Sequence, residues 1–216
     1  MTSAMPSPIG HSLAALAVRW IGRPAASDPG RRPRDRMLGP LSLACVAAAV
    51  LPDVDLLFYR WHRTVTHSLG ATLLVMIIAA VVTGKVTGRV GWRVVLVLGA
   101  AHASHVLLDW LGVDELPPRG IQALWPFSRG WYISNWDIFL PTERRNFWSP
   151  GSMLTNLRAV VSEIAILGPV AFVAWVATRR RRSPAPTSVR ADRPQPSGAA
   201  ADTGGTSDRQ APREAR

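Results

Sequence analysis

The 216 residues include one cysteine, Cys45, which excludes a disulfide scaffold. Charge is also scarce. Only 18% of the residues are charged, against roughly a quarter in a soluble domain, and this argues against an ordinary soluble enzyme. Acids are the scarcer sign, with 14 Asp+Glu against 25 Lys+Arg and a net charge of +11. Such a balance first raises nucleic-acid binding, but there is no continuous basic stripe to support it. The basic residues stand in short clusters beside apolar runs: Arg31, Arg32, Arg34 and Arg36; Lys85, Arg89 and Arg93; Arg179 to Arg182. That is the pattern of the positive-inside rule. No basic region precedes the first apolar segment, which itself contains His11 and Arg19, so that segment is not read as a signal peptide. Inverted repeats are not evident either, which counts against a transporter.

What the chain does have is apolar length. Met37 to Pro52 carries no charge, and neither does Thr64 to Gly84, which is long enough to span a bilayer as a helix. Val94 to Leu108 is apolar except for two histidines and Ser104, and Ile164 to Thr178 is apolar throughout. A weaker segment, 9–21, predicts a short or half-inserted helix. Several of these runs fall short of the roughly 20 residues a full span needs, so tilt or local thinning is expected. The expectation is an all-α, multi-pass transmembrane bundle of four to five helices, with a long Trp-rich outer loop between the last two. Residues 1–178 form the membrane-embedded domain. Residues 179–216, with nine arginines, four acids and almost nothing to bury, are expected to be a disordered cytoplasmic tail.

An alternating path places every basic cluster on the cytoplasmic side of the inner membrane, with the N-terminus outside. This orientation has a consequence for chemistry. His11, Asp53, Asp55, His62, His67, His102, His105 and Asp109 all gather at the outer face. His102, His105 and Asp109 are spaced to share one helical stripe. Pro52 marks a helix end, and in an extended Pro-Asp-Val-Asp segment the Asp53 and Asp55 carboxylates point to the same side. In His62-Arg63-Thr64-Val65-Thr66-His67 a threonine is expected to cap the next helix, with His67 in its first turns.

Imidazole and carboxylate together are a ligand set for zinc first, or for manganese or iron. The metal candidates are His11, Asp53, Asp55, His62, His67, His105 and Asp109, more than one ion requires. The catalytic candidates are Asp53 and His62, with Arg63 to hold an anionic oxygen. Taken singly, His102 reads equally well as a hydrogen-bonded core histidine, and Asp-Val-Asp as a cap and turn. His105 and Asp109 carry more weight, because ionisable groups inside a membrane helix are costly. Glu163 also interrupts an apolar run, and its role stays open between a supporting acid, a proton path and an interface residue.

Leu-Pro-Asp-Val-Asp at 51–55, His-Arg-Thr-Val-Thr-His-Ser at 62–68, Ser-His-Val-Leu-Leu-Asp at 104–109 and Leu-Trp-Pro-Phe-Ser at 124–128, with an early histidine, resemble the LexA-regulated, membrane-bound, metal-dependent hydrolases (YdjM-like) over about residues 5–178. The resemblance implies a multi-pass inner-membrane protein and a metal-dependent hydrolase, and it touches Asp53, Asp55, His62, Arg63, His67, His105 and Asp109. After the His-x-x-x-Asp motif the chain departs from it, with Trp-Leu-Gly-Val-Asp-Glu-Leu-Pro-Pro-Arg-Gly where a short Thr- and Gly-containing turn is expected. Trp110, Trp125, Trp131, Trp136 and Trp148 concentrate in the outer loop, as interfacial anchors or a substrate wall. The expected partners are membrane lipids and a small-molecule or lipid-linked substrate, with an ester or phosphoester the bond attacked. An ion or proton transporter and a metal-stapled structural protein are the alternatives.

Overall fold

A computed structural model describes residues 6–22, 39–144 and 146–180. Five α-helices account for most of it: α1 Pro8–Ile21, α2 Pro40–Val50, α3 Leu69–Thr87, α4 Trp92–Leu111 and α5 Pro150–Arg180. A 3₁₀ segment, Leu51–Trp61, continues α2, and a short 3₁₀ turn, Val65–His67, leads into α3. Among the described residues there are isolated bridges but no strands. Four stretches are long and apolar enough to cross a membrane: Pro40–Leu57, Leu69–Thr87, Trp92–Leu111 and Pro150–Thr178. The basic cluster at 31–36 and the tail beyond Arg180 lie outside the described residues.

The element boundaries follow local chemistry. Pro8, Pro40 and Pro150 open α1, α2 and α5, where a missing N–H costs nothing. The Ser7 hydroxyl caps α1 by accepting from the Ile9 and Gly10 amides at 3.2 and 3.3 Å. The cap of α3 is Ser68, which accepts from the Ala71 amide at 3.1 Å. This corrects the expectation of a threonine cap: His67 lies in the 3₁₀ turn ahead of α3, and the Thr66 hydroxyl is committed to Asp55. Gly88 closes α3 at φ 73°, a backbone position glycine occupies without strain.

Small residues fill the contacts between helices. Ala15, Cys45, Ala49 and Ala101 pack together at the meeting of α1, α2 and α4. Ala17 and Trp20 of α1 meet Ala171 and Ala174 of α5. The large aliphatic side chains point the other way: Leu73, Leu74, Ile77, Ile78, Val81 and Val82 of α3 are exposed. In water this arrangement would be inside-out. In a bilayer it is the expected one, because lipid is as apolar as leucine and helices associate through close backbone approach.

The weakest sequence segment is the hub. α1 packs against α2, α4 and α5, while α3 packs on α4. At 14 residues it is about 21 Å long, shorter than the roughly 30 Å hydrocarbon core. It is short, as its sequence predicts, and sits against α2 and the longer α4 and α5.

The loop between α4 and α5 is stitched back onto the start of α3. The Leu69 and Gly70 amides donate to the carbonyls of Ala123 and Trp125 at 2.8 and 3.0 Å, and the Gln122 amide donates to the Arg63 carbonyl at 3.0 Å. A Cβ on Gly70 would lie 2.6 Å from the Trp125 carbonyl oxygen, so this seam requires glycine. Phe127, Trp136 and Trp148 remain largely exposed on the loop, where aromatic rings suit a bilayer interface.

Candidate metal centre

The buried end of the bundle brings together residues from four parts of the chain. α1 contributes His11 and α4 contributes His105 and Asp109. The 3₁₀ segment contributes Asp53 and Asp55, and the link to α3 contributes His62 and His67. His11, His67 and His105 are completely buried.

The packing is close. Asp109 lies 3.4 Å from His11 Nε2, 3.1 Å from His105 Nε2 and 3.4 Å from His67 Nε2. Asp53 Oδ1 stands 3.8 Å from the same His67 nitrogen. The His11 and His105 rings stack with centroids 3.9 Å apart, and His67 sits 4.7 Å from His105. Three groups of ligand atoms, each mutually within 4.8 Å, could hold a metal ion: His11, His105 and Asp109; Asp53, His67 and His105; Asp55, His62 and His67. His105 links the first two groups and His67 the last two.

The surrounding hydrogen bonds fix which nitrogen faces inward. His105 Nδ1 lies 2.7 Å from the Ala49 carbonyl, which can only accept. Its proton is therefore on Nδ1, and the Nε2 lone pair points into the cluster. His67 Nδ1 faces Asp55 Oδ2 at 3.2 Å and the Thr66 hydroxyl at 3.0 Å, so its Nε2 is also left toward Asp53 and Asp109. His62 Nδ1 donates to Asp55 Oδ1 at 2.6 Å, leaving its Nε2 as an acceptor. Asp55 thus orients two imidazoles, the role outer carboxylates play around metal-ligating histidines.

Both nitrogens of His11, Nε2 of His62, His67 and His105, and all four oxygens of Asp53 and Asp109 are buried without a hydrogen-bond partner. Their mutual approaches lack hydrogen-bond geometry. Buried polar atoms are normally satisfied, and so many on one centre match the donor set of a cation. The residues present fit a divalent ion.

In the metal-free protein, burial would lower the His67 imidazole. The carboxylates of Asp53 and Asp55 beside it, together with the charge of Asp109, outweigh it and push the group up to about 9.

The Asp-Val-Asp expectation needs correction. Residues 51–61 are 3₁₀, not extended. Three residues per turn place Asp53 and Asp55 about 120° apart, so they grip opposite nitrogens of His67 and do not point together. His102 shares the buried stripe of α4 with His105 and Asp109, as expected, but has a different partner. Its Nδ1 lies 2.8 Å from the Thr72 hydroxyl on α3 and pairs with it. Arg63 ion-pairs with Asp114 and lies over the Trp131 ring at 5.8 Å. Those contacts fasten the loop between α4 and α5.

Two residues at the site were not assigned a place in it from sequence. Arg144 Nη2 stands 3.5 Å from Asp53 Oδ2. Glu163, fully buried on α5, accepts from the Ser7 amide at 2.6 Å, the Gly10 amide at 3.1 Å and the Ser7 hydroxyl. It therefore grips the start of α1, one residue before His11. An acid inside an apolar run was the available signal for Glu163. Arg144 gave none, because its loop has no periodic pattern.

Searches of curated proteins and of solved structures return no match. A family model does match, that of the YdjM inner membrane protein, over residues 5–182. That match takes in all five α-helices and every residue of the centre, and the chain belongs to the YdjM inner membrane protein family.

Proposed function

We propose that this chain is a metal-dependent hydrolase of the inner membrane, cleaving an ester or phosphoester at the outer face. The observation that carries the reading is the convergence of buried, unpaired imidazole nitrogens and carboxylate oxygens on one centre. Asp53, His67, His105 and Asp109 would hold the ion, with His11 completing the set; zinc is the first choice, manganese or iron the alternatives. Such an ion supplies a Lewis acid and brings the acidity of water toward neutrality.

The chain's own groups supply the rest. Asp55 fixes the ring of His67 for binding and presents His62 Nε2 as a proton acceptor. A carboxylate on one ring nitrogen and a free lone pair on the other is the arrangement of a general base. The loop between α4 and α5 is bonded to the start of α3, next to His67. The exposed aromatic side chains of that loop suit headgroup depth, which supports a lipid-linked ester as the substrate.

Complete burial of His11, His105 and Asp109 also suits a closed structural site, in which an ion ties α1 to α4. One experiment separates the readings. Purified protein is assayed for metal, then for hydrolysis of generic phosphoesters, esters and lipids, with H67A and H105A alongside. The hydrolase reading expects bound metal, turnover in the wild type, and loss of both in each variant. Metal with no turnover on any substrate favours the structural ion. Full metal in both variants overturns the assignment of the centre.

A further inference from the structure

Arg144 is held at the centre by its neighbours. The Glu143 amide donates to Asn156 Oδ1 at 2.7 Å, and Asn156 Nδ2 donates back to the Glu143 carbonyl at 2.8 Å. This pair clamps the backbone just before Arg144 onto the first turns of α5. The guanidinium then reaches Asp53 Oδ2 at 3.5 Å. Nη2 is buried and has no hydrogen-bond partner, and neither has the Asp53 oxygen it faces. The side chain is 24% exposed, so the arginine is not sealed inside the bundle. Arg63 makes the contrast, since its charge is consumed by Asp114.

Charge bookkeeping gives this arginine a purpose. Asp53, Asp55 and Asp109 with neutral imidazoles make three negative charges, and Arg144 reduces them to two. One divalent ion then brings the centre to neutrality. Without Arg144 the same centre would keep one negative charge and repel an anion. A neutral carboxylic ester needs no such compensation. A phosphoester does, because its non-bridging oxygens carry the charge, and a planar guanidinium fork matches two of them at once.

We propose that Arg144 is the anion-binding residue of this centre and that the substrate is a phosphoester, held by its non-bridging oxygens between Arg144 and the bound cation. The proposal rests on the metal-dependent reading above and narrows its substrate class. The phosphoester is a lipid headgroup or a soluble phosphate, which share this chemistry.

The test uses the full-length, metal-loaded protein in detergent with inorganic phosphate as the probe, titrated calorimetrically against wild type, R144A and R144K. The expected result is phosphate binding by wild type, a loss of about 10- to 100-fold in R144A, and partial recovery in R144K, with metal content unchanged throughout. Competition by phosphatidic acid in mixed micelles and by glycerol phosphate then identifies the source, and the stronger competitor is the nearer relative of the substrate. Unchanged phosphate affinity in metal-loaded R144A and R144K overturns the proposal and leaves the metal reading intact. Loss of metal in both variants overturns it too, since Arg144 would then be a counter-ion of Asp53. Wild-type protein without metal overturns the underlying reading and this proposal together.

Discussion

Replacing Glu163 tests whether α5 holds α1, and with it His11, in register. The side chain is fully buried and accepts from two backbone amides and one hydroxyl at the start of α1. Each hydrogen bond to a charged acceptor contributes about 1.5–3 kcal/mol, and losing the acceptor leaves the donors dry. The positive end of the α1 dipole adds up to about 2 kcal/mol in a buried geometry. These terms overlap, so E163A is expected to cost about 3–5 kcal/mol, the range for breaking a buried charged network. E163Q keeps the volume and one acceptor oxygen, and its cost is about 1–2 kcal/mol. In a chain of this size each kcal/mol moves the thermal midpoint by about 2–4 °C, which gives a drop of roughly 10 °C for E163A and about 4 °C for E163Q. The assay is thermal unfolding of metal-free protein in detergent, followed by metal titration. His11 lies one residue past Gly10, so E163A should also weaken metal binding, and E163Q should retain most of it. An E163A midpoint within about 2 °C of wild type would refute the reasoning, since no buried network worth about 3 kcal/mol could then have been removed.

Three further outcomes follow from the same geometry. D55N leaves the ligands of the ion in place but disorients His67 and His62, so metal affinity should fall about 10- to 100-fold by competition with a chelating dye; an unchanged affinity would remove Asp55 from its orienting role. H102A removes the contact with Thr72 and none of the proposed ligands of the ion, so it should lower stability by about 1–2 kcal/mol in a melt and leave metal stoichiometry untouched. Metal affinity should climb with pH. His67 must be neutral to bind, and its metal-free value is raised to about 9, so each ion displaces a proton below that pH. The linkage in the metal-free protein has the opposite sign. Protonated His67 contributes stability in full below its unfolded value near 6.5, and that contribution is lost as pH rises through about 9. A metal affinity that stays flat between pH 6.5 and 9 would contradict the network around His67.

Much of this protein was determined by local sequence. Long uncharged runs admit few solutions other than helices crossing a bilayer, because an apolar surface that wide cannot face water. Alternation of those runs carried His11, Asp53, His67, His105 and Asp109 to one end, since each stands at the same end of its helix pair. Chain distances along a helix are fixed at 1.5 Å per residue, so that convergence needed no knowledge of packing.

Only the tertiary structure decided what each group faces. His102 and His105 lie three residues apart on α4, yet one pairs with the Thr72 hydroxyl and the other donates to the Ala49 carbonyl. Rotation of α4 about its axis separates those fates, and rotation is set by small residues on neighbouring helices. Asp53 and Asp55 diverge because residues 51–61 wind as 3₁₀, a choice that Pro-Asp-Val-Asp does not impose by itself. Glu163 finds Ser7 from 156 positions away, and Arg144 reaches Asp53 from a loop without periodicity. Contacts at such separations depend on how helices dock, and no local pattern records them.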